Sequence, residues 1–373
     1  MDRVALRTLV EEKARELGFA LVGVTRAREC SHRAALERWI SEGKHGEMSW
    51  LAERAADMAD VRRLLRDARS VISVADRYHD GRPDRLQAGR GRIARYARGK
   101  DYHDLIRDRL RKLGRAVREA APGCQTRLTG DIHPILEREQ AARALLGAIG
   151  KHTLLIRPGL GSYFLLGEIV TDADIAASDE APRESRAAEA EVCGGCTRCI
   201  DACPTGAITE WSVDATKCMA YLTIEHRGAI PEPFFGKTGD WWFGCDICQE
   251  VCPHSQPTRA SRRAGASALH APRLDSVDLL EVLGWTEEDR ARLVVSSALK
   301  RASLAMMKRN ALLALASVAR SDEGLRSQVL ARCEGIAGEE REDEIVRAAA
   351  KACAHALAET VPGTSRHLAG TDE

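Results

Sequence analysis

The segment "CGGCTRCIDACP" sets Cys193, Cys196, Cys199 and Cys203 at the C-x2-C-x2-C-x3-C-P spacing of a bacterial [4Fe-4S] run. Further on, "WWFGCDICQEVCPH" repeats the pattern without its first letter: Cys245, Cys248, Cys252 and Pro253 are in place, but Trp242 stands where the first cysteine belongs. Three closely spaced thiolates wrap one cubane, and the fourth reaches over to a neighbouring cluster. Cluster one is therefore expected to take Cys193, Cys196, Cys199 and Cys252. Cluster two takes Cys203, Cys245 and Cys248, and Cys218, the one unused cysteine of the segment, is expected to complete it. Two four-cysteine zinc sites are the competing reading. Zinc knuckles supply ligands in pairs, however, and a triplet closed by Cys-Pro suits a tetrahedral ion poorly. Two adjoining low-potential clusters form an electron wire, so an electron acceptor is expected beside them.

At 373 residues the chain exceeds what one hydrophobic core usually serves. It is 44% hydrophobic and 30% charged, the balance of a globular protein, and its formal net charge of +1 offers no general attraction for a polyanion. No run approaches ~18 uninterrupted apolar residues, so no membrane span is expected. The N-terminus mixes charge through every turn, unlike a secretory or twin-arginine signal, so the cytoplasm is the expected location. There, clustered cysteine means metal or redox chemistry rather than disulfides. The scattered Cys30, Cys124, Cys333 and Cys353 read as small buried hydrophobes.

The elements that must hold this segment follow from periodicity. Residues 3–18 repeat apolar positions at helical spacing, "FALVGVT" and "SVISVADRY" read as strands, and "KHTLLIRPGLGSYFLLGEIV" adds strand with a turn at Pro158 to Gly161. "DYHDLIRDRLRKLGRAVREA" reads as a helix between them. The first segment, 1–178, is expected to be one α+β or α/β domain. A polar loop, Thr171 to Glu191, leads into a cysteine-set segment, 179–258. From 259 to 373 the signals are helical, Ala- and Leu-rich, as in stacked helical repeats or a plain bundle.

In combination, "GDIHPILERE", "GAIGKHTLLI", "GSYFLLGEI", the eight cysteines, "YLTIEHRGAIP" and "LKRASLAMMKRNALLALA" resemble epoxyqueuosine reductase, from about Leu6 to Leu357. The resemblance implies an oxidoreductase that completes queuosine in a tRNA anticodon, using cobalamin and two [4Fe-4S] clusters. It implies an α+β fold: a cobalamin-binding domain related to reductive dehalogenases, a ferredoxin-like two-cluster domain and a HEAT-like helical tail. Asp131 falls on the family's acid, with Pro134, Leu136 and Glu137 on its motif, whereas Ile132 and His133 stand where small residues are usual. Arg54, His152, Asp246 and Ile247 fall on cobalamin neighbours, with Asp131 facing the same pocket. "RYARGKDYHD" places Tyr102 and His103 on a further family run. Asp-x-His in "DIHPIL" is not expected to ligate cobalt, because Leu136 occupies the glycine position of that other motif.

Removing an epoxide oxygen takes two electrons and protons, so Asp131 could donate at neutral pH only if its pKa were raised from roughly 3.9. Pro134 biases His133 toward an extended conformation, which would let Asp131 and His133 project to one side. Lys300, Arg301, Lys308 and Arg309, at near-helical spacing, are the expected phosphate contacts for tRNA. An external low-potential electron donor and a monomeric state are expected too. The rival readings are a reductive dehalogenase-like corrinoid enzyme, an electron-transfer adaptor, and a tRNA-binding protein with structural clusters.

Overall fold

The structure is a computed structural model that describes residues 1–359 apart from 86, 132 and 181–191. Ile132 and the second half of the expected polar loop lie outside the described residues. The first helix, α1 (Arg3–Glu16), is capped by Asp2, which accepts from the N–H groups of Val4 and Ala5, and buries Leu6, Val10 and Ala14. Next come β1 (Leu21–Arg26), β2 (Ser70–Arg77) and β3 (Arg90–Ile93), then α2 (Tyr102–Ala120) and β4 (Thr126–Thr129). The short helix α3 (Glu137–Arg143) and β5 (Phe164–Thr171) follow.

The first sheet has the order β1-β2-β5-β4 and is antiparallel throughout, which makes this segment α+β rather than α/β. Every residue of β2 is buried because both faces are covered. Ile72, Val74 and Ile169 pack with Leu6, Val10, Ile106 and Leu113 of α1 and α2. On the other face Ala75 meets Ala141 of α3 and Leu146. Burying such a side chain contributes roughly 1.5–3 kcal/mol. Gly167 marks the closest approach of α2, since a Cβ there would lie 2.8 Å from Ile106 and 3.0 Å from Leu110.

A second sheet stitches the chain together. Strands β6 (Trp241–Phe243) and β7 (Ser276–Asp278) flank β3, the first parallel to it and the second antiparallel. One strand thus comes from each of the segments 1–178, 179–258 and 259–373. The largest core runs from Ile93 and Trp241 through Phe243 into α4 (Leu304–Val318), α5 (Glu323–Gly338) and α6 (Glu344–Ala358). Trp242, in the place of the missing cysteine, is fully buried there and donates its indole N–H to the Met307 carbonyl at 2.9 Å. That position is a core strand residue and has no room to be a cluster ligand.

A buried clip adds a third tie. Asp76 on β2 accepts from Arg109 on α2 and lies 2.6 Å from His270 Nε2, fixing the segment that follows the cysteines onto the first sheet. Among the described residues no helix is long and apolar enough to cross a membrane.

Candidate active site

Helix α2 begins with the acid–base cluster. Asp101, its N-cap, accepts from the His103 backbone N–H at 3.1 Å, and its carboxylate also lies 2.7 Å from His103 Nδ1. The cap therefore orients the imidazole, whose Nε2 lies 2.9 Å from Asp131 Oδ2. Tyr102 donates its hydroxyl to that same oxygen at 2.5 Å and stacks on the His103 ring, centroids 4.0 Å apart. Lys300 Nζ closes the group at 2.5 Å from the other Asp101 oxygen.

Burial opposes charge on His103, but its bonds to Asp101 and Asp131 outweigh that and lift its pKa to about 9. Burial likewise pushes the Asp131 carboxyl up, yet the His103 and Tyr102 hydrogen bonds and the positive charges of His103 and Arg301 hold it below its ordinary value. The condition set for Asp131 to be the resting proton donor, a raised pKa, is therefore not met. At neutral pH the shifts leave His103 protonated and Asp131 ionised.

His133 does not share the Asp131 position. Its backbone N–H donates to the Gly130 carbonyl at 2.7 Å and its ring Nδ1 lies 3.1 Å from that same oxygen, so Gly130 to His133 is a tight turn rather than extended chain. The turn brings His133 back over Gly130, so Asp131 and His133 do not stand two apart on one extended segment.

Asp131, Tyr102 and His103 line a cavity of about 2470 Å³, far above the ~300–1,000 Å³ of a small-ligand pocket. Arg54, His152, Asp246, Ile247, Lys300 and Arg301 line it too. Burial pushes the His152 imidazole down to about 4, so it is neutral, and its Nε2 is buried without a partner. The Asp246 carboxylate is otherwise engaged, accepting from the Arg95 backbone N–H at 2.8 Å and Gln249 Nε2 at 3.0 Å. Asp246 therefore anchors the cysteine loop to the β3 end, and the cavity meets that loop from Cys245 to Gln249.

The eight thiols gather into two neighbourhoods. Burial raises Cys199, and the sulfurs of Cys193, Cys252 and Cys196 push it the same way. Cys248 is raised by burial and then by Cys218, with Cys203 and Cys199 also within reach, and Cys245 by burial, Cys248 and Cys218. Cys203, Cys218, Cys245 and Cys248 all line the cavity, whereas Cys193, Cys196, Cys199 and Cys252 do not. Cys218 is the N-cap of the helical turn Met219–Ile224, without a side-chain cap hydrogen bond, and the nearby backbone N–H groups of Ala220 and Tyr221 oppose the rise that burial imposes on its thiol. Among the described residues no three such side chains close on one point as a single metal ion requires. A cubane asks for thiols spread around a larger body.

The four expected tRNA cations separate. Lys300 and Arg301 lie in a 3-10 turn, Ala298–Arg301, that ends before α4 begins. Arg301 pairs with Glu225 at 2.6 Å and lies over the Trp50 ring, 5.4 Å from its centroid, at the cavity. Lys308 pairs with Glu342 at 2.7 Å. Arg309 is fully buried and donates to the carbonyls of His226, Gly228 and Leu222 at 2.8, 2.6 and 2.7 Å. It is corrected from a phosphate contact to a strut between α4 and the cysteine segment, because its charge is spent on backbone carbonyls. Glu137, which lines the cavity, and Asp101, buried behind His103, received no role from sequence, although the Asp-Tyr-His helix start was legible for the second.

Four of the eight cysteines share this cavity with the His103–Asp131 pair, and the C-x2-C-x2-C-x3-C-P spacing marks the chain as an iron–sulfur protein. Residues 192–255 match the model of the 4Fe-4S double cluster binding domain, and residues 59–131 match that of Epoxyqueuosine reductase QueG, DUF1730. The chain is 36% identical to an epoxyqueuosine reductase of Burkholderia pseudomallei over 344 residues, 86% of this chain and 83% of that one. It is also 36% identical to that of Escherichia coli K12 over 84% of this chain and 82% of that one. The fold matches an epoxyqueuosine reductase crystallised with a modified tRNA stem loop, with a TM-score of 0.76, 23% identity and coverage of 95% and 99%. The Streptococcus thermophilus enzyme matches at a TM-score of 0.73, 24% identity and 93% and 98% coverage. The chain belongs to the epoxyqueuosine reductase family, and its double-cluster domain carries two [4Fe-4S] clusters.

Proposed function

We propose that this chain reduces epoxyqueuosine to queuosine at the wobble position of tRNA, with cobalamin in the large cavity. The observation that carries the reading is the single cavity shared by Asp131, His103 and the Cys203, Cys218, Cys245 and Cys248 quartet. Its volume suits a guest of corrinoid size, and the unpartnered Nε2 of buried His152 suits a polar group on that guest's rim. Arg54, Ile247 and the Asp246 backbone are the other candidate holders. When bound, cobalamin supplies low-potential two-electron reduction, with the clusters passing electrons inward from an external donor.

The chain's own part is to position the base and to protonate its oxygen. His103 holds the proton, Asp131 relays it at Oδ2, and Tyr102 fixes that oxygen through its short hydrogen bond. Asp101 keeps His103 in register and charged. Lys300 and Arg301 at the cavity are the candidate phosphate contacts, with Trp50 beside Arg301. Helices α4 to α6 are read as a HEAT-like support for the stem. A monomer is the oligomeric state read here, and a tRNA substrate is consistent with a cytoplasmic location.

The test is anaerobic reconstitution with iron, sulfide and cobalamin, then chemical reduction and incubation with an epoxyqueuosine-bearing stem loop. Appearance of queuosine in the digested RNA is expected. A reconstituted, reduced protein that leaves the epoxide intact would overturn the reading.

A further inference from the structure

Behind the Asp131 turn lies a group of polar atoms that the acid–base cluster does not use. The strand register pairs Glu168 on β5 with Ser73 on β2 and with Thr129 on β4. Alternation along β2 sends Ile72 and Val74 to the helical face with α1 and α2, so Ser73 and Glu168 face the side of α3. Glu168 is fully buried, and neither of its carboxyl oxygens has a partner. The hydroxyl of Ser73 and Oε1 of Glu137, at the start of α3, are likewise buried and unpaired. Thr129 gives its hydroxyl to the Glu168 backbone carbonyl instead, at 3.4 Å. Glu137 Oε1 also lies beside the catalytic turn, 3.9 Å from where a Cβ on Gly130 would stand.

An ionised carboxylate without a partner is too costly to bury, so such groups hold their protons. Burial, reinforced by the charge of Asp131 and opposed by Arg138, by a hydrogen bond from the Asp131 backbone N–H and by His103, raises Glu137 to about 8. Burial and then the charge of Glu137 raise Glu168 further above the carboxylate range, with Thr129 opposing. A purely structural core position would be better served by leucine or glutamine, because a buried unsatisfied acid destabilises the fold.

The proposed reaction has a use for stored protons. Converting the epoxide to the alkene breaks two C–O bonds and forms the carbon–carbon double bond. It takes two electrons and two protons, and the oxygen leaves as water. The electrons arrive through the clusters and the bound cofactor, but His103 with Asp131 supplies only one proton before needing another. We infer that Glu137 and Glu168 form an internal proton store that recharges Asp131 within a turnover. This rests on the epoxide-reduction reading above. Glu137 is the near member, at the turn, and Glu168 the deep one. Both act through Asp131, and solvent refills them between turnovers.

Infrared spectra of the cofactor-loaded protein, with Glu137→Gln and Glu168→Gln, read the store directly, and single-turnover rates on the stem loop read its use. Wild type is expected to show deuterium-sensitive carbonyl bands of buried carboxylic acids at neutral pH. One should be lost near pH 8 and be missing from Glu137→Gln; the other should persist at higher pH and be missing from Glu168→Gln. Glu137→Gln should cut the single-turnover rate about tenfold or more, remove the alkaline limb near pH 8 and leave stem-loop affinity unchanged. Glu137→Asp should restore part of the rate. Absence of the bands would overturn the store, and so would both glutamine variants keeping the wild-type rate and pH profile. Wild type that shows the bands yet leaves epoxyqueuosine unreduced would overturn the reaction reading and the recharging role while leaving the two acids protonated.

Discussion

His103 Nε2 lies 2.9 Å from Asp131 Oδ2, and this contact decides which member of the pair carries the proton. The imidazole is held at its other nitrogen by Asp101, so it sits between two carboxylates and stays cationic at neutral pH. Asp131 is left as an anion, and in the proposed reaction it takes that proton and passes it on. A raised Asp131 would have needed an apolar setting, and the two hydrogen bonds it accepts from Tyr102 and His103 rule that setting out.

Asp131→Asn is expected to keep both clusters and bound cobalamin but to lose nearly all epoxide reduction, a fall on the order of 10²–10⁴-fold for a lost proton relay in acid–base catalysis. His133→Ala should keep a substantial fraction, since that ring turns back on the Gly130 carbonyl. Single-turnover assays on pre-reduced protein separate lost chemistry from lost electron supply. An inactive His133→Ala beside a fully active Asp131→Asn would reverse the assignment.

The same contact predicts a pH signature in stability. The folded pKa of His103, about 9, lies above the unfolded value of roughly 6.5, so its contribution is complete below about 6.5 and lost as pH rises through about 9. Thermal melts of wild type and His103→Gln should therefore differ most at the acid end of that window and converge above it. A difference that stays constant across the window would mean that the imidazole is neutral throughout.

The cysteine runs were legible because each spacing is local, and the helix start at Asp101 because it reads over three residues, whereas the division into quartets joins cysteines far apart in the chain and stays an expectation. The Gly130 to His133 turn was not, since the Pro134 rule concerns one residue and the turn is closed by hydrogen bonds across four. Arg309 misled for a different reason. Helix α4 is buried on nearly every side, yet an arginine within it reads as surface although it is satisfied by carbonyls of the Met219–Ile224 turn and the loop after it, 81 to 87 residues away in sequence. The Glu168 and Ser73 pairing depends on strand register, which periodicity alone does not supply.

Cys218→Ala is expected to damage the cluster that borders the cavity and spare much of the other, because Cys218 shares its neighbourhood with Cys203, Cys245 and Cys248. Iron and sulfide analysis with EPR on anaerobically reconstituted protein checks this. Loss of both clusters together, or of neither, would remove Cys218 from the ligand set.

The separation of the four cations gives opposite outcomes for two substitutions that look alike in sequence. Lys300→Ala with Arg301→Ala should weaken stem-loop binding and flatten its salt dependence, because each neutralised phosphate contact releases a counterion. Lys300 also holds Asp101, so Lys300→Arg is the control that keeps the charge. Arg309→Leu should instead act on the fold. It strips donors from the carbonyls of Leu222, His226 and Gly228, each stranded group costing about 1–3 kcal/mol, and so loosens α4 from the cysteine segment. A lowered melting temperature and reduced cluster content are expected, with a salt slope for the remaining folded protein equal to that of wild type. Should Arg309→Leu melt normally but bind RNA with a flattened salt slope, the side chain must leave its buried site to meet phosphate, and the strut assignment would fall.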